Sequence, residues 1–558
     1  MLSKCRGRTR GHHAGMARTG KILFTNGEFW TGSTLLPRAR HVTSSGGRIA
    51  SVGAEQPPDL RPDLTIDLKG RFAMPGFIDA HTHFRAGGAS LKRLDLRGSR
   101  SKTEFAEMVL SRARANHDGR WLVGVNWDNE SWADKSFPSK ELIDDFTQSF
   151  PVFLDRVDTH MALVNSEALR IVGISRDTPD PRGGVVLRDG RGEPTGIVKD
   201  AARELVMRHI PKPSQEELMS DARAAMRLAN SLGVTSVSDI GPDSDLMTYI
   251  RLKMRDEMTV RVNMILPISD YETLVDGRLG LEEGENEWIS LTAVKAFADG
   301  SLGAGTAWFH EPYEDDNSNR GIPTDILASG ELEEYALDAD KNHIQLAIHA
   351  IGDMAVSRVL DIFDKVEKSN RQWERRFRIE HAQHISPDDF ARMKRLKAVA
   401  SVQPYHCIDD GRWAERKIGR RRAESAFPFR RFLDEEVALA FGTDWPVAPL
   451  NPLDGIFAAV TRSTLDGMNS DGWIPGQKLN VEEALTAYTY GSAYASFAEN
   501  EKGKLEPGKL ADIVVLSASP FDVPPEKIKD IRVLMTVVGG RIVYSDAAAF
   551  PAEGDDAC

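Results

Sequence analysis

The chain has 558 residues, a formal net charge of −12, 41% hydrophobic and 28% charged residues. That length exceeds one small core and predicts about two to four folding units, or a large barrel carrying insertions. The acidic balance argues against a generic nucleic-acid binder, and without a run of about 18 apolar residues no membrane span is expected. Residues 1–18 carry Lys4, Arg6, Arg8, Arg10 and Arg18 and no acid. They lack the apolar core of a secretory signal. A disordered tail, or a start placed ahead of Met16, is the expectation, with an organelle transit peptide as the competing reading. Cys5, Cys407 and Cys558 stand far apart, which is no disulfide framework and fits a reducing, cytoplasmic compartment.

Residues 19–72 read as short strands at 21–25, 28–31 and 48–52, with Asn26-Gly27 as a turn. The far end, 503–547, repeats the pattern with a strand at 511–516 and a hairpin of 534–538 and 541–544 about Gly539-Gly540. Two β-rich ends around an α/β centre predict one small β-sandwich built from both termini, followed by a frayed tail at 548–558. In the centre, eight apolar strands are predicted at 73–80, 234–240, 260–265, 291–298, 344–350, 377–381, 399–403 and 437–442. Helical stretches separate them, which predicts a (β/α)8 barrel of the TIM type over 73–84 and 214–502. From His83 to Val234 is about 150 residues, where one βαβ unit takes about 30. The amphipathic stretch 215–230 supplies the first barrel helix. Residues 85–213 are then an insertion on the C-terminal face of the first strand, where insertions lie over the active site. Trp121, Trp127 and Trp132 make it a candidate lid for substrate selection, against the alternative of a packing elaboration.

The first barrel strand ends in His81-Thr82-His83, after Pro75 and Gly76 have marked a turn into it. In an extended strand residues i and i+2 share a face, so both imidazoles can aim at one point. Neutral imidazole is a good ligand for zinc and similar ions, although this pair alone does not distinguish half a metal site from a solvated strand. Later strand ends decide it: Lys295 within the fourth, His349 on the fifth, His381 on the sixth and Asp444 after the eighth. His349 and His381 are 32 residues apart, one βα unit, and His381 and Asp444 are 63 apart, two units. Each places one ligand type at a strand's C-terminal end, where barrel chemistry resides. A lysine between apolar neighbours is costly to leave charged. Either CO2 converts Lys295 to a carbamate that bridges two metals, or its amine reaches the barrel mouth and pairs with an acid.

With these residues in view, the chain resembles the amidohydrolase superfamily of metal-dependent hydrolases, most closely its YtcJ-like (amidohydrolase 3) branch, which includes N-substituted formamide deformylases. The resemblance runs from about residue 20 to 545 and rests on 75–84 (PGFIDAHTHF), 158–169 (DTHMALVNSEAL), 294–301 (VKAFADGS), 349–353 (HAIGD), 378–383 (RIEHAQ), 443–446 (TDWP) and 507–516 (PGKLADIVVL). It implies that His81, His83, Lys295 and Asp444 surround one metal. Lys295, as its carbamate, holds a second with His349 and His381. Zinc is the usual metal; one ion held by the histidines and Asp444 is the fallback if Lys295 is unmodified. It further implies cleavage of a C–N bond in an amide, N-formyl or cyclic amide by metal-activated hydroxide. Asp444 shuttles the proton to the leaving amine, and His406 or His160 donates a hydrogen bond to the oxyanion. The expected partner is a small amide-type substrate, with neither nucleic acid nor membrane, and a homodimer is a common habit of the family.

Asp79 and Asp299 are expected to orient ligands or loops, and Asp353 to fix the loop after strand five. Trp308 and Trp445 either line an apolar pocket or belong to the core. His384 lies past its strand end, outside the ligand set. A mononuclear deaminase of the same superfamily is the competing enzyme reading, disfavoured by Lys295. A barrel that serves as a scaffold is disfavoured because no ligand position is vacant.

Overall fold

The computed structural model describes residues 20–550 except 57–59, 116–118, 130–131, 158–160, 182–183 and 281–286. The expected tail at 1–18 therefore lies outside the described residues. Of the expected tail at 548–558, residues 548–550 belong to the fold: Ala549 and Phe550 pack on the sandwich core, and the Arg71 guanidinium stands over the Phe550 ring. The chain divides into two units, one formed by residues up to 84 together with those from 226, the other by 85–225.

In the first unit eight parallel strands follow one another in sheet order: β1 (Phe77–Thr82), β2 (Val234–Ile240), β3 (Arg261–Pro267), β4 (Ile289–Phe297), β5 (Gln345–Ala350), β6 (Arg378–His381), β7 (Val399–Val402) and β8 (Ala438–Phe441). Two backbone hydrogen bonds close the ring beyond β8. Asp444 donates to the His81 carbonyl at 2.7 Å, and His83 donates to that of Trp445 at 2.8 Å. This is the predicted TIM-type barrel, and the helix predicted at 215–230 is present as Gln215–Ser231.

One predicted strand is split. Phe72–Pro75 pairs antiparallel with Ile513–Leu516 in another sheet, and only Phe77–Thr82 enters the barrel. Gly76 is the crossing point: its N–H bonds Asp512, and the next N–H bonds Gly233, each at 3.0 Å. A Cβ on Gly76 would sit 2.3 Å from the Thr235 side chain, so the junction requires glycine. The two chain ends build the predicted sandwich, a four-stranded sheet from the N-terminal side and a six-stranded sheet mixing both ends. Phe24, Val42, Ile66, Ile513, Val515 and Val537 fill the space between them. Arg261 at the start of β3 clamps sandwich to barrel through Asp512, at 2.7 and 3.0 Å.

The second unit carries its own mixed six-stranded sheet. It extends to 225 rather than the predicted 213, because Gly88 lets the backbone press on Asp221, whose carboxylate also binds Lys92 at 2.5 Å. Its tryptophans are structural. Trp127 and Trp132 stack within its apolar core with Phe105 against them. Their indole N–H groups bond the carbonyls of Leu154 and Ser99. Trp121 packs on a neighbouring apolar cluster. Trp127 and Trp132 satisfy the fold of the unit itself, as buried tryptophans with a hydrogen-bonded N–H do. Among the described residues no helix is long and apolar enough to cross a membrane.

Candidate metal centre

Part of the predicted set comes together at the strand ends. His81, His83 and Asp444 bring one ligand atom each into a common group, and His381, His406 and Asp444 form a second. Asp444 belongs to both. Its Oδ1 lies 3.4 Å from His81 Nε2 and 3.5 Å from His83 Nε2, and its Oδ2 lies 3.3 Å from His406 Nε2. Burial opposes its charge, but the surrounding imidazoles of His406, His81 and His83 hold Asp444 well below the usual carboxylate range. In return Asp444 raises His83 and His406 above their ordinary value, against the effect of burial.

His406, expected as a donor to the substrate oxygen, thus stands among the ligand-type residues, on the helix Pro404–Asp410 that follows β7. Lys295 and His349 fall in neither group, although His349 adjoins the second. The His349 and His381 rings are 4.4 Å apart, and His81 and His381 are 4.9 Å apart. Lys295 is 3% exposed, with Nζ 4.9 Å from the Phe297 ring centroid. Burial pushes its amine down to about 8. Burial, with the Lys295 charge adding to it, holds His349 down to about 3, and burial among other imidazoles holds His381 well below its ordinary value. His160, the other expected donor, lies outside the described residues.

The donor set fits a divalent metal. His349 Nδ1 and His381 Nδ1 are both buried without a hydrogen-bond partner, a costly state for a packing residue and the right one for a ligand atom. Backbone geometry serves the same end. Arg378 and Glu380 share the inward face of β6, so alternation alone would turn His381 outward. Its φ of +73° swings it back, and Asp444 has φ +61°. Left-handed non-glycine residues of this kind concentrate at functional sites.

Supporting carboxylates surround the group. Asp79 accepts from the His81 and Thr443 N–H groups and from the Thr443 hydroxyl, tying β1 to the loop that carries Asp444. Asp299 accepts from the N–H groups of Trp308, Ile351 and Gly352. Burial pushes both carboxyls up to about 7. Asp353 accepts from the N–H of His310 at 2.9 Å, linking the loops after β4 and β5. Trp445 is buried edge-on to Phe84, a core position, whereas Trp308 remains half-buried. The sequence reading assigns no role to Glu380, although it stands beside a predicted ligand. Its carboxylate lies 2.6 Å from His81 Nδ1. The available signal was two charges, Arg378 and Glu380, on the inward face of a buried strand.

His384 stays apart from both groups, between Phe309 and Phe427, with Nε2 unbonded. Burial, with Arg422 adding to it, pushes it down to about 3. Between that value and the ordinary 6.5 the unfolded chain binds a proton that the folded chain does not. The stability from neutral His384 is therefore present above about pH 6.5 and lost as pH falls toward 3, on the order of 5 kcal/mol in full. Denaturant unfolding of His384→Leu from pH 4 to 7 is expected to show a smaller loss on acidification than the parent protein. Comparing the two cancels the opposite slope from Asp79 and Asp299; identical slopes would refute the assignment.

Comparison with known proteins places these features. The amidohydrolase family model matches residues 64–544. Protein LONG AFTER FAR-RED 3 of Arabidopsis thaliana is 38% identical over 542 residues, 94% of this chain and 91% of that protein. Putative amidohydrolase YtcJ of Bacillus subtilis (strain 168) is 32% identical over 489 residues, 86% of this chain and 90% of that protein. N-substituted formamide deformylase of Arthrobacter pascens is 27% identical over 527 residues, covering 91% and 95%. The crystal structure of an uncharacterized metal-dependent hydrolase from Pyrococcus horikoshii superposes with a TM-score of 0.76 at 29% identity, covering 90% of this chain and 99% of that one.

Proposed function

This chain belongs to the amidohydrolase family, and we propose that it is a metal-dependent hydrolase of a C–N bond in an amide, N-formyl or cyclic amide substrate. The observation that carries the reading is Asp444, a carboxylate at the barrel mouth within 3.5 Å of three imidazoles, His81 and His83 at the end of β1 and His406 on the helix after β7. His81, His83 and Asp444 would hold one metal. His381, with His349 and a carbamate on Lys295, would hold a second, and His406 stands close enough to Asp444 to join either the ligands or the substrate. The usual ion for such a set is zinc. A bound divalent metal supplies acidification of a water and polarisation of the scissile carbonyl.

The chain's own residues supply the proton path. Asp444 accepts the proton of the attacking water and delivers it to the departing nitrogen, so that amide and water become carboxylic acid and amine. The Asp444–His406 contact at 3.3 Å holds the carboxylate toward the mouth. The Lys295 amine, lowered by burial, reacts with CO2 to form a carbamate and release one proton, giving a carboxylate where the sequence has none. The deciding experiment is a turnover screen of the metal-loaded protein against N-formyl amines, N-acyl amino acids, cyclic amides and esters, with metal analysis. About two metals per chain and turnover of an amide-type compound are expected. Absence of bound divalent metal, together with absence of turnover after metal is supplied, would sink the reading.

A further inference from the structure

The barrel interior holds an ion pair where packing alone calls for branched apolar side chains. Arg378 and Glu380 are both 0% exposed. Glu380 Oε1 accepts from Arg378 Nε at 2.7 Å, and Oε2 lies 2.6 Å from His81 Nδ1. β6 is flanked by β5 and β7, not by β1, so this contact crosses the barrel. Arg378 makes the same crossing, donating through Nη2 to the Ala80 carbonyl at 2.7 Å and to Ser401 Oγ at 3.1 Å. A buried ion pair is a weak source of stability, and apolar residues of like volume often do as well or better. This one also leaves Arg378 Nη1 without a partner. Packing therefore does not account for it.

The contacts on β1 do. The pair grips two consecutive residues, Ala80 by its carbonyl and His81 by its ring. A nitrogen facing a carboxylate oxygen at 2.6 Å carries the proton, which leaves the lone pair of His81 on Nε2, the atom 3.4 Å from Asp444 Oδ1. His83 and His349 differ: each bonds a neutral main-chain carbonyl at 3.0 Å, Ile240 for His83 and Gly300 for His349, and the Asp299 carboxylate lies farther from the same His349 nitrogen, at 3.5 Å from Nε2.

We propose that Arg378 and Glu380 form a positioning element for His81, fixing its tautomer and ring plane and making it the most strongly donating imidazole of the site. This inference rests on the reading that His81 holds a metal. Glu380 touches neither substrate nor reacting atoms, and acts through His81. A carboxylate behind a ligating histidine raises its basicity, and its loss typically weakens metal binding about 10–100-fold.

The test measures binding rather than turnover. Full-length protein is stripped with a chelator, and its Zn2+ affinity is read by competition with a chromophoric chelator; thermal unfolding of the metal-free form is followed in parallel. Glu380→Gln is expected to weaken the tightest site about 10–100-fold, and Glu380→Asp to recover part of that loss. In a His81→Ala background Glu380→Gln should have no further effect on affinity, because the interaction it removes is already gone. Unchanged affinity in Glu380→Gln, or an equal loss in both backgrounds, overturns the proposal, as does an effect confined to the metal-free melting temperature. If Glu380→Gln does not fold because Arg378 is left unpaired, Arg378→Met with Glu380→Met removes both charges together and is held to the same expectation. A parent protein that binds no divalent metal overturns both this inference and the reading beneath it. One that binds metal but hydrolyses nothing counts against the hydrolase reading alone.

Discussion

Asp444→Asn is expected to lower kcat/KM by about 10³-fold or more on any substrate the protein turns over, and to reduce bound metal. The argument rests on how many roles meet in one side chain. The carboxylate is the common member of both ligand groups and lies within 3.5 Å of His81, His83 and His406. Asparagine has nearly the same shape and tolerates the left-handed backbone that Asp444 adopts at φ +61°. The main-chain bonds of Asp444, from its N–H to the His81 carbonyl, which helps close the barrel, and from Val447 N–H to its own carbonyl, do not involve the side chain. The variant therefore folds, while the anion and the proton acceptor vanish together. Steady-state kinetics with metal analysis checks this. A variant retaining activity within about tenfold of the parent would remove Asp444 from the mechanism.

Lys295→Ala is expected to lose activity to a similar degree, roughly 10³-fold, and to bring bound metal from about two ions per chain to about one. The physical reason is the mismatch between side chain and setting. A primary amine 3% exposed and pushed to about 8 by burial is a poor ligand while protonated. Once neutral, it is a nucleophile for CO2. A carbamate formed there would convert a cation into an anion among groups that would bind cations. Truncation to alanine leaves a space that small carboxylates can enter, so added formate, acetate or propionate should restore part of the activity and of the second metal. Full metal content and activity without any added carboxylate would show that Lys295 is structural.

Much of this site was legible along the chain because barrels repeat. Each strand delivers its end to the same face, so the spacing of His81, His83, His349, His381 and Asp444 marked them as one candidate set, and the motif resemblance gave that set its expected roles. Lys295 could be flagged because a charged residue in an apolar strand contradicts its surroundings. The composite sandwich was legible for a similar reason: β-period patterns at both ends with a different pattern between them. The tryptophans of 85–225 misled because composition does not reveal direction. An indole that fills a core and one that lines a pocket look the same in sequence, and only the partners of Trp127 and Trp132 tell them apart.

Residue type and interval by themselves determined the barrel and the histidines and aspartate at its strand ends, since these follow from periodicities of two and of one βα unit, which are local and additive; the family was legible through the resemblance of motifs such as 75–84 and 378–383. The tertiary structure alone decided contacts that join strands distant in sequence. It decided that the chain leaves the sandwich for the barrel at Gly76, where backbone presses on Thr235. It decided that His406 joins Asp444 and His381, because the helix after β7 turns its imidazole inward. It decided, too, that Glu380 reaches 299 residues back along the chain to His81. No spacing rule encodes a hydrogen bond across a barrel interior; it exists only once the ring is closed and two non-neighbouring strands share the same buried space.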